Sequence, residues 1–204
     1  MAEPTARPKF TYEHFLQLPD DGKRHELIDG DHYVTPSPTA KHQRILGRLH
    51  FAIEGFLRKN PLGEVFLSPF DVLFSRFDVV EPDLLYVAKE RESVVTAANI
   101  QGSPDLVIEI LSPSTQERDR GIKRRLYERT EVHEYWIANP DAETVEVYRR
   151  TAAGGELPLA MELRRASGDV LSTPLLPGLE LPLAEIFPSP GRARAGRDAT
   201  RSAT

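Results

Sequence analysis

Apolar and polar positions along this chain change period several times, and each change marks an element. Thr11 to Leu18 predicts a first short helix, in which Thr11 can cap the start and Phe15 and Leu18 share one face. Arg24-His25-Glu26-Leu27-Ile28 and Asp31-His32-Tyr33-Val34 then flank Asp29-Gly30, the strongest hairpin signal that two residues can give. Pro36-Ser37-Pro38 interrupts the chain. From about Ala40 to Arg58 the period turns helical, with Ile45, Leu49, Ala52, Ile53 and Phe56 on one stripe, and Asn60-Pro61-Leu62-Gly63 stops it.

Strands are predicted over Val65 to Phe74, Pro82 to Val87 and Asp105 to Leu111. A helix follows from about Glu117 to Thr130, then strands His133 to Ala138 and Thr144 to Tyr148 joined at the turn Asn139-Pro140-Asp141. This order of elements predicts an α/β fold, a mixed β-sheet flanked by α-helices with an N-terminal β-hairpin. One domain over residues 10–187 is expected, between disordered tails at 1–9 and 188–204. The second tail is rich in small, polar and Arg residues and has little to bury.

Composition narrows the setting. At 204 residues, 40% hydrophobic and 28% charged, the chain has enough apolar material for one core. It has no Cys, which removes disulfides, thiolate metal ligands and Cys nucleophiles, and fits a reducing cytoplasm. No apolar run approaches the roughly 20 residues that span a bilayer, and Met1 to Lys9 lacks the apolar core of a signal peptide. A cytoplasmic protein with no membrane partner is therefore expected. The net charge of −5 argues against a surface coated in positive charge. Even so, Arg118, Arg120, Lys123, Arg124, Arg125 and Arg129 crowd one stretch that could meet phosphates.

Candidate chemistry begins at Pro104-Asp105-Leu106-Val107-Ile108-Glu109-Ile110-Leu111-Ser112-Pro113, where Glu109 falls inside an apolar run of the kind that is covered on both faces. An ionised carboxylate there loses hydration, and survives only with a cation, hydrogen-bond donors or a shifted pKa. Glu81-Pro82-Asp83-Leu84-Leu85-Tyr86-Val87 makes a similar commitment with Asp83. Asp105 and Glu109 share a face but stand about 13 Å apart along a strand. They cannot both ligate a cation whose oxygen distances are about 2.0–2.1 Å. Asp83 can, if its strand neighbours that of Glu109, so the candidate metal pair is Asp83 with Glu109, and Asp105 is read as a strand-entry residue. Leu111 shares the face of Glu109 but cannot polarise a phosphate or a water. The nearest cation is Lys123, on a polar stripe with Asp119 and Tyr127 at helical spacing. If the neighbouring apolar stripe, Ile122 and Leu126, packs on the sheet, Lys123 sits at its border within reach of the carboxylates.

These residues, together with Glu26-Leu27-Ile28-Asp29-Gly30, His42 and Glu134-Tyr135-Trp136-Ile137, resemble the Uma2 family of the PD-(D/E)XK nuclease superfamily. The resemblance runs from about Phe10 to Phe187. It implies a restriction-endonuclease-like core and Mg²⁺-dependent hydrolysis of phosphodiester bonds, with Mn²⁺ as a substitute and DNA as the expected partner. It also implies that the usual lysine has moved from the strand to the helix, so that Leu111 follows the family's own pattern. Carried over, Asp83 and Glu109 would bind the metal, and Lys123 would stabilise charge on the phosphoryl group or orient water. Glu26 would be an auxiliary ligand or a water-positioning group, and His42 and Tyr127 would line the site. Hard oxygen ligands favour Mg²⁺ over Zn²⁺. A homodimer is expected by analogy with enzymes that cut both strands.

Plainer readings stand beside these. Glu26 could be a cross-strand ion pair, Lys123 an i, i+4 partner of Asp119, and Glu109 a structural partner for an arginine. The competing function is a noncatalytic nucleic-acid-binding or assembly module that keeps the nuclease fold and meets phosphates through residues 118–129. A site acting on something other than nucleic acid is supported only by the acidic net charge. A carboxylate pair could also serve a glycosidase, but adjacent buried strands and a helix lysine suit phosphate chemistry better.

Overall fold

The computed structural model of the protein describes residues 8–187, so all but the last two residues of the expected tail at 1–9, and the whole of the expected tail at 188–204, lie outside the described residues. After a short helix, α1 (Tyr12–Phe15), the strands β1 (Arg24–Ile28) and β2 (Asp31–Thr35) form the expected hairpin. Its turn places Asp29 at φ +53° and Gly30 at φ +75°, the double left-handed geometry of a two-residue hairpin. A Cβ on Gly30 would come within 2.7 Å of the Lys9 Cβ, so the incoming chain also requires glycine there.

Thr39 caps α2 (Ala40–Leu57) by accepting the His42 N–H, and one stripe of this helix buries His42, Ile45, Leu46, Leu49, Ile53 and Leu57. The single strand expected over Val65 to Phe74 is two, β3 (Gly63–Leu67) and β4 (Val72–Ser75), which join different sheets. Pro69 has no N–H for a ladder, and the chain changes layer across it. β5 (Asp78–Val80) and β6 (Leu84–Ala88) follow, then β7 (Ile100–Gln101) and β8 (Leu106–Ile110). A helical stretch over residues 116–129 comprises α3 (Gln116–Arg118), a π-helical turn at Asp119–Lys123 and α4 (Arg124–Arg129). The chain continues through β9 (Glu134–Asn139), β10 (Thr144–Arg149), β11 (Leu159–Arg164), β12 (Val170–Leu171), β13 (Leu181–Pro182) and α5 (Leu183–Ile186).

A six-stranded sheet, in the order β11-β10-β9-β8-β6-β3, is the centre of the fold, and β8 with β9 is its one parallel pair. A five-stranded sheet in the order β2-β1-β5-β4-β7 forms a second layer. Strand alternation divides the central sheet into two buried faces. Leu84, Tyr86, Ile108 and Trp136 meet Ile45, Leu49 and Ile53 of α2. Leu85, Val87, Val107 and Tyr135 meet Ile28, Leu126 and Tyr127 on the other side. Each large apolar side chain buried in this way contributes on the order of 1.5–3 kcal/mol. The mixed α/β architecture matches the expectation from sequence. No helix among the described residues is long and apolar enough to cross a membrane.

Candidate active site

Antiparallel pairing of β6 with β8 sets Leu84 across from Ile108, and one step further Asp83 falls opposite Glu109. Glu109 shares the face of Val107 and therefore points into the layer built by β1 and α4. From β1, the alternation that buries Ile28 also turns Glu26 and Arg24 inward. From the helix, Asp119, Lys123, Leu126 and Tyr127 are all buried. Lys123 is only 3% exposed, so it lies within the site and not at the border of an apolar stripe. The reason is the second sheet, which covers the helix face that would otherwise meet solvent. The π-helical turn, a rare device, falls on the same residues.

Two clusters of ion pairs result. The Lys123 Nζ lies 2.8 Å from Glu109 Oε1, 2.7 Å from Glu26 Oε1 and 4.0 Å from Asp119 Oδ1. The Tyr127 O–H donates to the same Glu109 oxygen at 2.9 Å. Around Asp83, Arg24 Nη1 donates to Oδ1 at 2.7 Å, while the Ile110 N–H at 2.8 Å and His42 Nε2 at 3.0 Å meet Oδ2. A cavity of about 220 Å³ joins the clusters, walled by Asp83, Glu109, Lys123, Asp119, Arg24 and His42. Two loops stiffened by proline, 35–39 and 112–115, frame it. Tyr127 and Glu26 stand behind the wall, holding Glu109 and Lys123; the expectation that Tyr127 lines the site is corrected accordingly.

Four carboxyl groups (Asp83, Glu109, Glu26 and Asp119) thus share three permanent cations (Arg24, Lys123 and Arg118). Burial, reinforced by Asp119, Asp83 and Glu26, pushes the Glu109 carboxyl well above the usual range despite Lys123. Burial acts the same way on Asp83, but the His42 hydrogen bond, Arg24 and the Ile110 N–H overcome it and hold the group down at about 2. Burial opposes the charge on Lys123, yet Glu109, Glu26 and Asp119 together raise its pKa. Glu26 Oε2, Asp119 Oδ1 and Arg118 Nε are buried without a hydrogen-bond partner, and Glu109 Oε2 makes no hydrogen bond among the described residues.

That donor set suits Mg²⁺. Among the described residues no group of three or more His, Asp or Glu side chains forms a ready-made cage. Mg²⁺ is ordinarily held by one or two carboxylates, with water and substrate phosphate completing its shell. Asp83 and Glu109 supply such a pair of hard oxygens on one cavity wall.

All six candidate residues (Asp83, Glu109, Lys123, Glu26, His42 and Tyr127) come together. Asp105 does not join them: it accepts the Ala88 N–H and pairs with Arg91 and His133, as suits a strand-entry residue. Leu111 is packed in the core. Arg24 escaped the sequence reading, although its two-residue spacing from Glu26 on a strand was the available signal. Arg118 also escaped it; its guanidinium lies over the Tyr33 ring and donates to Thr35 Oγ1 at 2.5 Å. Within the basic stretch 118–129, Arg125 is exposed while several of its neighbours are engaged. Arg120 pairs with Glu146, Arg129 with Asp29 and Asp78, and Arg124 lies over Tyr148.

A central mixed sheet covered on both faces, with paired acids and a helix lysine beneath a hairpin layer, makes up the α/β fold. It is similar to the crystal structure of "a putative nuclease belonging to DUF820" from Anabaena variabilis, with a TM-score of 0.72 and 23% identity over 87% of this chain and 97% of that one. The chain is also 27% identical over 152 residues to "Uncharacterized protein slr1290" of Synechocystis sp., covering 72% of this chain and 77% of that protein. The family model of Uma2, described as "Putative restriction endonuclease", matches residues 12–184, and the chain belongs to the Uma2 family.

Proposed function

We propose that this protein is a metal-dependent nuclease that hydrolyses phosphodiester bonds, with DNA as the first substrate to test. The observation that carries the reading is Asp83 placed opposite Glu109 on one cavity wall, with the Lys123 ammonium 2.8 Å from Glu109. Asp83 and Glu109 would hold Mg²⁺, or Mn²⁺ in its place, and a bound metal of this kind polarises phosphoryl oxygen and acidifies water. The protein's own contribution is preorganisation. Arg24 and His42 fix the Asp83 carboxylate, and Tyr127 fixes that of Glu109. Glu26 anchors Lys123 through Oε1, which also accepts the Glu81 N–H, and its Oε2 faces Arg118 at 3.6 Å, so Glu26 serves as a positioning group behind the wall. Lys123 then presents a fixed positive charge where negative charge grows on the phosphoryl oxygens, in a recess that excludes bulk water.

Membership of the Uma2 family and the nuclease-like fold support this reading. Its test is a Mg²⁺ titration followed by nicking of plasmid and cutting of oligonucleotides. Cleavage should require the metal and disappear in Glu109→Gln, and full cleavage by that variant would overturn the assignment. A second reading, a noncatalytic module retaining the fold, draws on the fact that both Asp83 oxygens already have partners. It expects no heat on adding Mg²⁺ and no cleavage under any condition.

A further inference from the structure

The outward face of α2 differs in charge from the rest of the molecule. From residue 40 to residue 53 the helix carries Lys41, Arg44 and Arg48 and no Asp or Glu, in a chain whose net charge is −5. These three stand at i, i+3 and i+7, so they share one face, and all are exposed. Their present partners hold them loosely. Arg44 makes no ion pair among the described residues, Lys41 meets the exposed Asp141, and Arg48 donates through Nη1 to the Glu185 carbonyl at 2.6 Å. A surface pair such as Lys41 with Asp141 contributes little and yields to a stronger anion.

Two further features lie on that face. Phe51 is 80% exposed, and it borders a cleft of about 330 Å³ between α2 and the β13–α5 segment, with Ala52, Leu181 and Ile186 as its apolar wall. Glu185 is the one acid in the lining. Gly47, also in the lining, sits on the crown of the helix between Arg44 and Phe51, and a Cβ built on it meets nothing within 4 Å. Packing does not call for glycine there, and in an exposed helix interior glycine destabilises relative to alanine. What the missing side chain leaves is room for another molecule to approach the helix closely. A single exposed Phe is ordinary. An exposed ring, a bare crown and three cations on one face are not accounted for by the fold.

We propose that the crown of α2 docks a single strand of nucleic acid, whose phosphates lie along Lys41, Arg44 and Arg48 while an unpaired base stacks on Phe51 at the cleft. The inference rests on the nuclease reading of the site and adds the surface that delivers the strand. Cations beside an exposed aromatic ring are the means by which proteins hold single strands: the charges follow the backbone, and the ring takes a base of any sequence. Glu185 repels phosphate from the cleft and leaves it to an uncharged base. The surface is also continuous with the site. Thr39 and His42, at the start of α2, line the active-site cavity, and Phe51 stands nine residues beyond His42, about 14 Å along the helix axis. A strand leaving the cavity over the first turns of α2 therefore reaches Phe51 within a few nucleotides. A duplex, whose bases are already stacked and paired, gives the Phe51 ring nothing to hold.

Fluorescence anisotropy of a labelled oligothymidylate, titrated with the full chain in EDTA so that nothing is cut, measures the docking alone. Phe51→Ala should weaken binding about tenfold, and Phe51→Trp should bind at least as tightly as the parent. Lys41→Gln combined with Arg44→Gln should lower the slope of log affinity against log salt by about 1.4, the share of two phosphates on a single strand. Gly47→Gln should weaken binding while raising the melting temperature, a pairing that damage to the fold cannot produce. Annealed to its complement, the same oligonucleotide should bind the parent and Phe51→Ala equally. Parent-like affinity and salt slope in all these variants, or no binding by the parent, would overturn the inference. So would a change from dimer to monomer in Phe51→Ala at unchanged oligonucleotide affinity, which makes the crown a contact between two copies of this chain. With Mg²⁺, Phe51→Ala should raise KM for the oligonucleotide and leave kcat within a few-fold. Cleavage with KM unmoved refutes the dock and leaves the nuclease reading standing. Binding that depends on Phe51 with no strand cut supports the dock and removes the nuclease.

Discussion

Pro82-Asp83 and Pro104-Asp105 lead into neighbouring strands of one sheet, and both acids end up buried with the same three kinds of partner. Asp83 has Arg24 at 2.7 Å, His42 at 3.0 Å and the Ile110 N–H at 2.8 Å. Asp105 has Arg91 at 3.0 Å, His133 at 3.0 Å and the Ala88 N–H at 2.8 Å. Their immediate contacts do not distinguish them. The difference lies across the strand. Because β6 and β8 run antiparallel, the start of β6 lies beside the end of β8, and Asp83 faces Glu109. The start of β8 lies beside the end of β6, where the register sets Val87 opposite Asp105. Only the first position borders a cavity shared with a second acid and a buried ammonium. The Asp105 cations, Arg91 and His133, are 32% and 46% exposed and leave it a stabilising role. A Pro-Asp strand entry is therefore a structural device until a second carboxylate is brought beside it.

The comparison breaks hardest at Lys123, which has no counterpart near Asp105. Lys123→Met strands Glu26 and Glu109 in the interior, and we expect a loss of about 3–5 kcal/mol in denaturant unfolding together with loss of cleavage. A variant as stable as the parent would mean that the two glutamates do not depend on the ammonium. Next, Asp83→Asn should lower cleavage by about 10²–10³-fold. Asp105→Asn should cost roughly 1–3 kcal/mol of stability while leaving the rate per folded molecule within a few-fold. Equal activity losses in the two variants would abolish the distinction. A milder pair is Arg24→Lys against Arg91→Lys, where a compact ammonium replaces a planar fork. We expect a loss of about tenfold in cleavage for the first, from a misplaced Asp83, and none for the second.

The smallest effect is on pH dependence, followed as thermal unfolding without added metal. Glu109 is raised from 4.5 to about 8, so the folded state holds a proton that the unfolded state releases. Its contribution is complete below the usual carboxylate range and declines as pH rises through the raised value, so melting should fall between about pH 5 and 9. Asp83, lowered to about 2, acts in the opposite sense: its contribution is present above the usual aspartate value and is lost as pH falls toward 2. Glu109→Gln should flatten the alkaline arm alone, and added Mg²⁺ should oppose the alkaline fall by drawing on the deprotonated form.

Much of this was readable in short windows. Asp29-Gly30 announced the hairpin, the stripe from Ile45 to Phe56 announced α2, and a lone Glu109 in an apolar run announced a charge needing partners. The resemblance to Uma2 brought in Glu26, His42 and Tyr127, whose roles no local pattern specified. Other features left no readable trace. The run from Val65 to Phe74 is apolar throughout, and alternation alone could not reveal that its halves belong to different sheets. Arg118 counted as one of a basic cluster, whereas its place over Tyr33 depends on where the hairpin meets the start of the helical stretch.

By itself the sequence determined what depends on neighbours a few residues apart: turn chemistry, helix caps, periodicity, and the commitment of Asp83 and Glu109 to costly environments. Those follow from backbone sterics and local hydrogen bonding, which act within a turn or a strand. Tertiary structure alone decided which acids face each other, that Lys123 is sealed inside by a second sheet, and that α5 sets a cleft beside the exposed Phe51. Strand register, layer packing and the low-dielectric coupling of buried charges join residues far apart in the chain, and these interactions exist only once the layers have closed.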